Sequence, residues 1–123
     1  MKAKELRIGN LVLKNGIVHF VYLVSNTIIH SSEIGTSNIE ISLLYEVEPI
    51  PLTEEWLLKA GFKNSTVNNK LFIAYGFALY IDDDNDVGVM KFGIDVYLCH
   101  IKYIHQLQNL YFALTGEELT IKA

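Results

Sequence analysis

The strongest structural signal in the chain is the stretch Leu11-Val12-Leu13-Lys14-Asn15-Gly16-Ile17-Val18-His19-Phe20-Val21-Tyr22-Leu23-Val24. Its two apolar arms flank Asn15-Gly16, the dipeptide that best supplies the two positive φ values of a type I′ turn. The second arm is largely apolar on both alternating faces, which predicts a central strand covered on both sides. The stretch therefore predicts a β-hairpin that begins an antiparallel sheet.

The residues after this hairpin extend the sheet and then interrupt it. Residues 27–31 and 39–48 are further β-type segments, separated by a loop rich in Gly, Ser and Asn. Short strands at this spacing predict a small, curled, barrel-like sheet. Pro49 and Pro51 bias the residues before them toward extended backbone, so no helix runs through this point. We therefore expect an N-terminal β lobe over residues 1–50 and an α+β lobe over residues 51–123, joined as one compact unit.

The second lobe opens with a short helix. Thr53 is a good N-cap, two glutamates occupy the first turn, and Gly61 is suited to the C′ position. We expect Trp56 to anchor this helix by packing. Residues 71–81 then alternate as a strand with one small face, unless Gly76 divides them into two strands through a tight turn.

Two more strands and a last helix complete the predicted fold. Residues 87–92 and 95–99 continue an antiparallel meander, and apolar residues recur at helical spacing from Ile101 to Leu114, before Gly116 as a C-terminal cap. We expect this helix to pack on the meander at its small face around Ala74, Gly76 and Ala78. The predicted class is α+β.

Composition restricts the possible functions. The chain has 123 residues, 50% of them hydrophobic, which is enough for a core and excludes a disordered segment. Its formal charge is −4 and Arg7 is its single arginine, which is unfavourable for phosphate recognition. Cys99 is the single cysteine, so no intrachain disulfide forms. Neither a secretory signal nor a run of about 20 apolar residues occurs, so we expect a cytoplasmic protein and no membrane partner.

No residue pattern predicts catalysis or a cofactor. Asp82, Asp84 and Asp86 match the first three ligand positions of a calcium loop, but Val87 and Gly93 replace the required Gly and Glu, which indicates a charged turn. His100 and His105 are five residues apart and lie on different faces of a helix, and His19 in its apolar strand is typical of a structural histidine. Phosphate-loop, zinc-protease and nucleophile-elbow motifs do not occur. We expect no enzyme activity, no metal and no cofactor.

The distribution of charge suggests two possible binding surfaces. Four basic residues and one acid lie between Lys2 and Lys14, whereas six acids and no base lie between Glu33 and Glu55. The basic segment could contact phosphates. The acidic segment could face a basic protein surface, or it could simply be a solvated strand edge. On the last helix, His105, Gln108, Asn109 and Phe112 could form a polar and aromatic recognition stripe.

Three stretches of the sequence stand out. They are Leu6-Arg7-Ile8-Gly9-Asn10-Leu11-Val12 with the following Asn15-Gly16, Glu48-Pro49-Ile50-Pro51-Leu52-Thr53-Glu54-Glu55-Trp56-Leu57-Leu58-Lys59-Ala60-Gly61-Phe62 and Tyr103-Ile104-His105-Gln106-Leu107-Gln108-Asn109-Leu110-Tyr111-Phe112-Ala113-Leu114-Thr115-Gly116-Glu117-Glu118-Leu119. Together they resemble a family of small uncharacterised proteins of bacterial prophages and other mobile elements, which implies a bacterial host cell. The resemblance implies genomic surroundings and carries no catalytic residues.

These observations favour a non-enzymatic phage or mobile-element protein that binds a host protein. Its sharpest version is an inhibitor of a CRISPR effector nuclease, that is, an anti-CRISPR protein. The candidate partner-binding residues are Glu40, Glu46, Glu48, Asp82, Asp83, Asp84, His105 and Phe112. Direct nucleic-acid binding is less favoured; the alternative is an accessory protein that contacts phosphates through Lys2, Lys4, Arg7 and Lys14.

Overall fold

A computed structural model describes residues 2–84, 86–91 and 96–122 of the chain. It contains two five-stranded antiparallel sheets and two α-helices, which confirms the α+β class. The chain divides into a first unit, Met1–Pro51 with Tyr103–Glu118, and a second unit, Leu52–Lys102 with Leu119–Ala123. The division after Pro51 falls beside the predicted lobe boundary. The last helix, which the sequence assigned to the second lobe, groups with the first unit.

The first unit contains a curled sheet with the strand order β4-β3-β2-β1-β5. Its strands are β1 (Leu11–Lys14), β2 (Ile17–Val24), β3 (Ile28–Glu33), β4 (Glu40–Leu43) and β5 (Val47–Glu48), with short 3₁₀ turns at Ala3–Glu5 and Leu44–Glu46. Lys14 pairs with Ile17, and Asn15 and Gly16 have φ values of 52° and 77°. The predicted hairpin and its type I′ turn are therefore confirmed.

One face of this sheet is buried and the other is only partly covered. Val12, Val21, Ile29 and Val47 form the buried cluster, together with Leu6 from the segment before β1. β2 is central, as predicted, but Tyr22 and Leu23 on it are exposed. The prediction that β2 is covered on both sides is wrong, because an apolar alternation does not reveal whether a second layer is present.

The last helix, α2 (Ile104–Thr115), packs on β1 of the first unit. It ends at Gly116, whose φ of 75° is the left-handed value expected for a terminating glycine. The sequence predicted that this helix packs on the second sheet, but the packing described for it is with β1. The contacts are made by polar side chains, which a pattern of apolar residues cannot predict.

The second unit contains α1 (Glu54–Lys59) and a sheet with the order β10-β9-β8-β7-β6. Its strands are β6 (Lys63–Asn64), β7 (Leu71–Ala74), β8 (Phe77–Ile81), β9 (Val87–Lys91) and β10 (Val96–Ile101). Phe72, Leu79 and Val89 are paired across three strands and buried, so they form a continuous core row. Tyr75 and Gly76, with φ values of 55° and 80°, divide residues 71–81 into two strands, which is the tight-turn alternative. The predicted strand residues Phe92 and Asp95 lie outside the described residues.

The predicted caps of α1 are confirmed, but its anchor is not. The Thr53 hydroxyl accepts a hydrogen bond from the Trp56 N–H, and Gly61 follows the helix with a φ of 91°. Trp56 is only half-buried and lies beside the Lys59 ammonium, which is 4.6 Å from the ring centroid. Leu57 and Ala60 are completely buried and anchor the helix instead. No helix in the described part of the chain is both long and apolar enough to span a membrane.

Gly61→Ala tests the turn that follows α1. A Cβ at this position would lie 2.5 Å from the Tyr75 hydroxyl, which donates a hydrogen bond to the Ala60 carbonyl. The substitution therefore adds a left-handed backbone penalty and displaces Tyr75, and we expect it to lower the free energy of unfolding by roughly 1–2 kcal/mol. Chemical denaturation measures the change. Gly35→Ala, with a φ of 86° and open space around it, is the control for the backbone penalty alone; an equal loss in both variants would contradict the steric contribution of Tyr75.

Candidate functional site

The polar end of the buried face in the first unit joins four strands. His19 Nδ1 on β2 is 2.9 Å from the Ser31 hydroxyl on β3, and His19 Nε2 is 3.7 Å from a Glu40 carboxylate oxygen on β4. Lys14 on β1 donates to the other Glu40 oxygen at 3.0 Å. Because β1 and β4 are not neighbours in the sheet, this ion pair spans its curvature.

This Ser–His–Glu arrangement was not predicted from the sequence. A hydroxyl, an imidazole and a carboxylate in line are the components of a nucleophilic triad. Ser31, however, is completely buried, so its hydroxyl is not open to a substrate. The arrangement therefore ties the strands together. The Lys14 hydrogen bond holds the pKa of Glu40 below its ordinary value.

A second polar cluster joins α2 to the segment before β1. The Gln108 side chain accepts a hydrogen bond from the Leu11 N–H at 2.9 Å and donates to the Gly9 carbonyl at 3.1 Å. The Asn109 side chain accepts from Asn10 at 2.8 Å and donates to the Glu5 carbonyl at 2.9 Å. We call these contacts the Gln108 clamp.

Arg7 extends the Gln108 clamp at the surface. Its guanidinium donates to Asn109 at 3.1 Å, pairs with Glu118 at 2.7 Å, and lies 4.3 Å from the centroid of the Phe112 ring. Arg7 and Lys14 are therefore both engaged in contacts within the first unit. Lys2 and Lys4 are exposed. Two of the four basic residues predicted to contact phosphates, Arg7 and Lys14, are thus paired with acidic residues of the protein itself.

The acidic candidates lie at separate places. Glu46 is exposed but accepts a hydrogen bond from the Leu43 N–H at 2.7 Å. Glu48 is exposed on β5. Asp82, Asp83 and Asp84 belong to the second unit, in the connection between β8 and β9.

The aspartate run is a charged turn. Asp82 accepts hydrogen bonds from the N–H groups of Asp84 and Asp86 at 2.9 and 3.0 Å. Asp83 is ion-paired with Lys70, and this hydrogen bond lowers the pKa of Asp83 and raises that of Lys70. Gly93, which was also part of the calcium comparison, lies outside the described residues. The described residues contain no cluster of three or more His, Cys, Asp or Glu side chains able to hold a metal ion.

The recognition stripe predicted on α2 is only partly at the surface. His105 is 1% exposed and Gln108 is 4% exposed, so the prediction that these two residues contribute to an exposed stripe is wrong. The His105 ring stacks on Tyr103, and neither of its ring nitrogens has a hydrogen-bond partner among the described residues. Burial lowers the pKa of His105, with an opposing contribution from the Glu5 carboxylate. Phe112 is 40% exposed beneath the Arg7 guanidinium.

Cys99 lacks the surroundings of an activated nucleophile. Its thiol is half-buried, and this burial raises its pKa, whereas a reactive cysteine needs a lowered one. The neighbouring His100 is exposed and its Nδ1 is hydrogen-bonded to the Tyr97 hydroxyl.

Exposed apolar residues lie side by side on one face of the sheet in the first unit. Ile41 on β4 pairs with His30 on β3, which pairs with Leu23 on β2, and Leu43 pairs with Ile28 in the next row. The four apolar members are exposed, Ile41 by 68%. We call Leu23, Ile28, His30, Ile41 and Leu43 the outer face. Contiguous exposed apolar residues on a small protein mark interaction sites, whereas isolated ones need no explanation.

Comparisons of the chain with protein-family models, curated proteins and solved structures found no match. The resemblance to prophage and mobile-element proteins therefore remains a prediction.

Proposed function

We propose that this chain is a non-enzymatic phage or mobile-element protein that acts by binding a host protein through the outer face. The proposal rests on four exposed apolar residues that lie together on neighbouring strands, in a protein with a net charge of −4. They are Leu23, Ile28, Ile41 and Leu43. Exposed apolar side chains in adjacent strands disfavour an isolated monomer, so a partner that covers them gives a physical reason for their presence.

The sharpest version is an inhibitor of an RNA-guided nuclease. Such a nuclease holds nucleic acid in a positively charged channel, which an acidic protein can approach favourably. The genomic surroundings implied by the resemblance are those in which such an inhibitor is useful. The nucleic-acid alternative has less support, because Arg7 and Lys14 are engaged within the first unit.

Ile41→Gln tests the outer face. We expect the unchanged chain to inhibit DNA cleavage by a purified, guide-loaded effector nuclease of the host, and Ile41→Gln to weaken inhibition about tenfold, the typical cost of removing one central apolar contact. Cleavage is measured against inhibitor concentration. Ile8→Gln is the matched control, because Ile8 is similarly exposed at 65% but lies outside the outer face.

Two results would contradict the proposal at different levels. If no effector nuclease of the host is inhibited, the anti-CRISPR version is wrong. If, in addition, affinity capture from host lysate retains the same proteins on the Ile41→Gln chain as on the unchanged chain, the outer face is not the binding surface. Salt-sensitive retention of a labelled oligonucleotide would favour the nucleic-acid alternative.

A further inference from the structure

A groove at the edge of the outer face has a more specific chemistry than the face itself. It has a volume of ≈ 590 Å³ and is lined by Leu43, Tyr45, Glu48 and Pro49, with the Asn26-Thr27 turn on one side. Leu43 belongs also to the outer face, so the groove and the face are continuous. Tyr45 is 82% exposed, which leaves its ring available to a ligand.

One carboxylate, that of Glu48, gives this groove its negative charge. Of the acids near it, Glu40 is paired with Lys14 and Glu46 holds the Leu43 N–H. Glu48 has no ion pair or side-chain hydrogen bond with any residue that the structure describes, and no cationic residue lines the groove. An unpaired carboxylate beside an exposed aromatic ring attracts a cation, because both the charge and the face of the ring favour it.

We propose that the groove receives an arginine side chain from a loop or strand of the partner protein, flanked by an apolar residue. A guanidinium can stack on the Tyr45 ring and at the same time donate two hydrogen bonds to the Glu48 carboxylate. The flanking apolar side chain then covers Leu43 and Pro49. This inference rests on the proposed function, since it names the chemistry of the partner at the edge of the same surface.

Charge complementarity favours an arginine of a partner protein over two other possible occupants of the groove, a second copy of this chain and a nucleic-acid backbone. In a two-fold dimer formed through this groove, the same patch of each copy meets, so the two Glu48 carboxylates approach each other in a protein that already has a net charge of −4. A nucleic-acid backbone is repelled by Glu48. A cationic protein segment meets neither obstacle.

A peptide titration followed by backbone amide NMR tests the inference on the whole chain. The probe is N-acetyl-Leu-Arg-Leu-amide, and N-acetyl-Leu-Glu-Leu-amide is the charge-reversed control. We expect the arginine peptide to shift the amide signals of residues 26–27 and 43–48. Glu48→Gln and Tyr45→Ala should each weaken binding about threefold, and the double variant about tenfold. Glu33→Gln, which removes an exposed acid outside the groove, should leave the affinity unchanged.

The outcomes separate this inference from the proposed function. No shift with the arginine peptide, equal binding of the glutamate peptide, or an unchanged affinity in the double variant would each overturn the arginine assignment. None of these results affects the Ile41→Gln measurement, which concerns the outer face and the natural partner. Concentration-dependent dimerisation that Glu48→Gln strengthens would instead identify a second copy as the occupant.

Discussion

Gln108→Ala is expected to lower the free energy of unfolding by about 3 kcal/mol, the largest effect of any single substitution considered for this protein. The Gln108 side chain is 4% exposed and is hydrogen-bonded to the Leu11 N–H and the Gly9 carbonyl. Alanine removes both hydrogen bonds at once. It leaves the Leu11 N–H unpaired in a buried place and the Gly9 carbonyl unpaired in a half-buried one, and a buried unpaired group costs about 1–3 kcal/mol. Urea denaturation followed by circular dichroism measures the change.

Gln106→Ala is the matched control on the same helix. Its side chain accepts a hydrogen bond from the Tyr103 N–H at 3.0 Å and is only half-buried. We expect a loss of about 1 kcal/mol, the typical cost of removing a side-chain cap at a helix start that water can reach. Equal losses for the two variants would show that the Gln108 clamp is not a special anchor of α2.

The Gln108 clamp joins two segments that are distant in the sequence. Arg7 and Asn10 precede β1, whereas Gln108 and Asn109 lie on α2 and Glu118 follows it. Hydrogen bonds between their side chains connect residues about a hundred positions apart. These residues therefore stabilise the fold of the first unit.

The elements predicted correctly from the sequence are those decided by local backbone chemistry. Asn15-Gly16 must adopt positive φ values, Thr53 caps the first N–H groups of α1, and Gly116 ends α2. None of these depends on a distant partner. The sequence does not decide whether residues 71–81 form one strand or two, because Tyr75, a poor residue for positive φ, accompanies Gly76 in the turn.

The outer face could not be predicted from the sequence for a different reason. Ile41 and Leu43 alternate with Ser42, and a sequence reading buries the isoleucine and leucine and exposes the serine. The structure does the reverse, because Ser42 pairs with Ile29 on the core side of the sheet. The side of an edge strand that faces the core is set by its register with the next strand, which is a long-range property.

The same long-range dependence explains the error at His105. Its position on α2 is one turn before Gln108 and Asn109, so the clamp that orients this helix also turns His105 inward. From the sequence alone, an imidazole among polar helix residues is typical of a solvent-exposed face. Only the partners of Gln108 show which side of the helix is covered.

We expect the unchanged protein to lose stability on mild acidification, and we expect His105→Leu to abolish this loss. Because burial lowers the pKa of His105 in the folded state, the unfolded chain binds a proton more readily, and stability falls as the pH decreases through the ordinary histidine pKa of about 6.5. The slope is at most about 1.4 kcal/mol per pH unit, and it ends below the folded-state pKa. Leucine has no titrating group, so we expect this slope to vanish between pH 6.5 and 5.

Denaturation of both chains across this range measures the difference, and the comparison isolates one imidazole. Glu40 and Asp83 have lowered pKa values, so the stability they contribute is lost only at lower pH. His100→Gln is the control, since His100 is exposed, and it should keep the acid-dependent slope. If His105→Leu keeps the slope as well, the slope comes from another titrating group, and burial does not lower the pKa of His105 in the folded protein. In that case the buried imidazole does not set the response of this protein to acid.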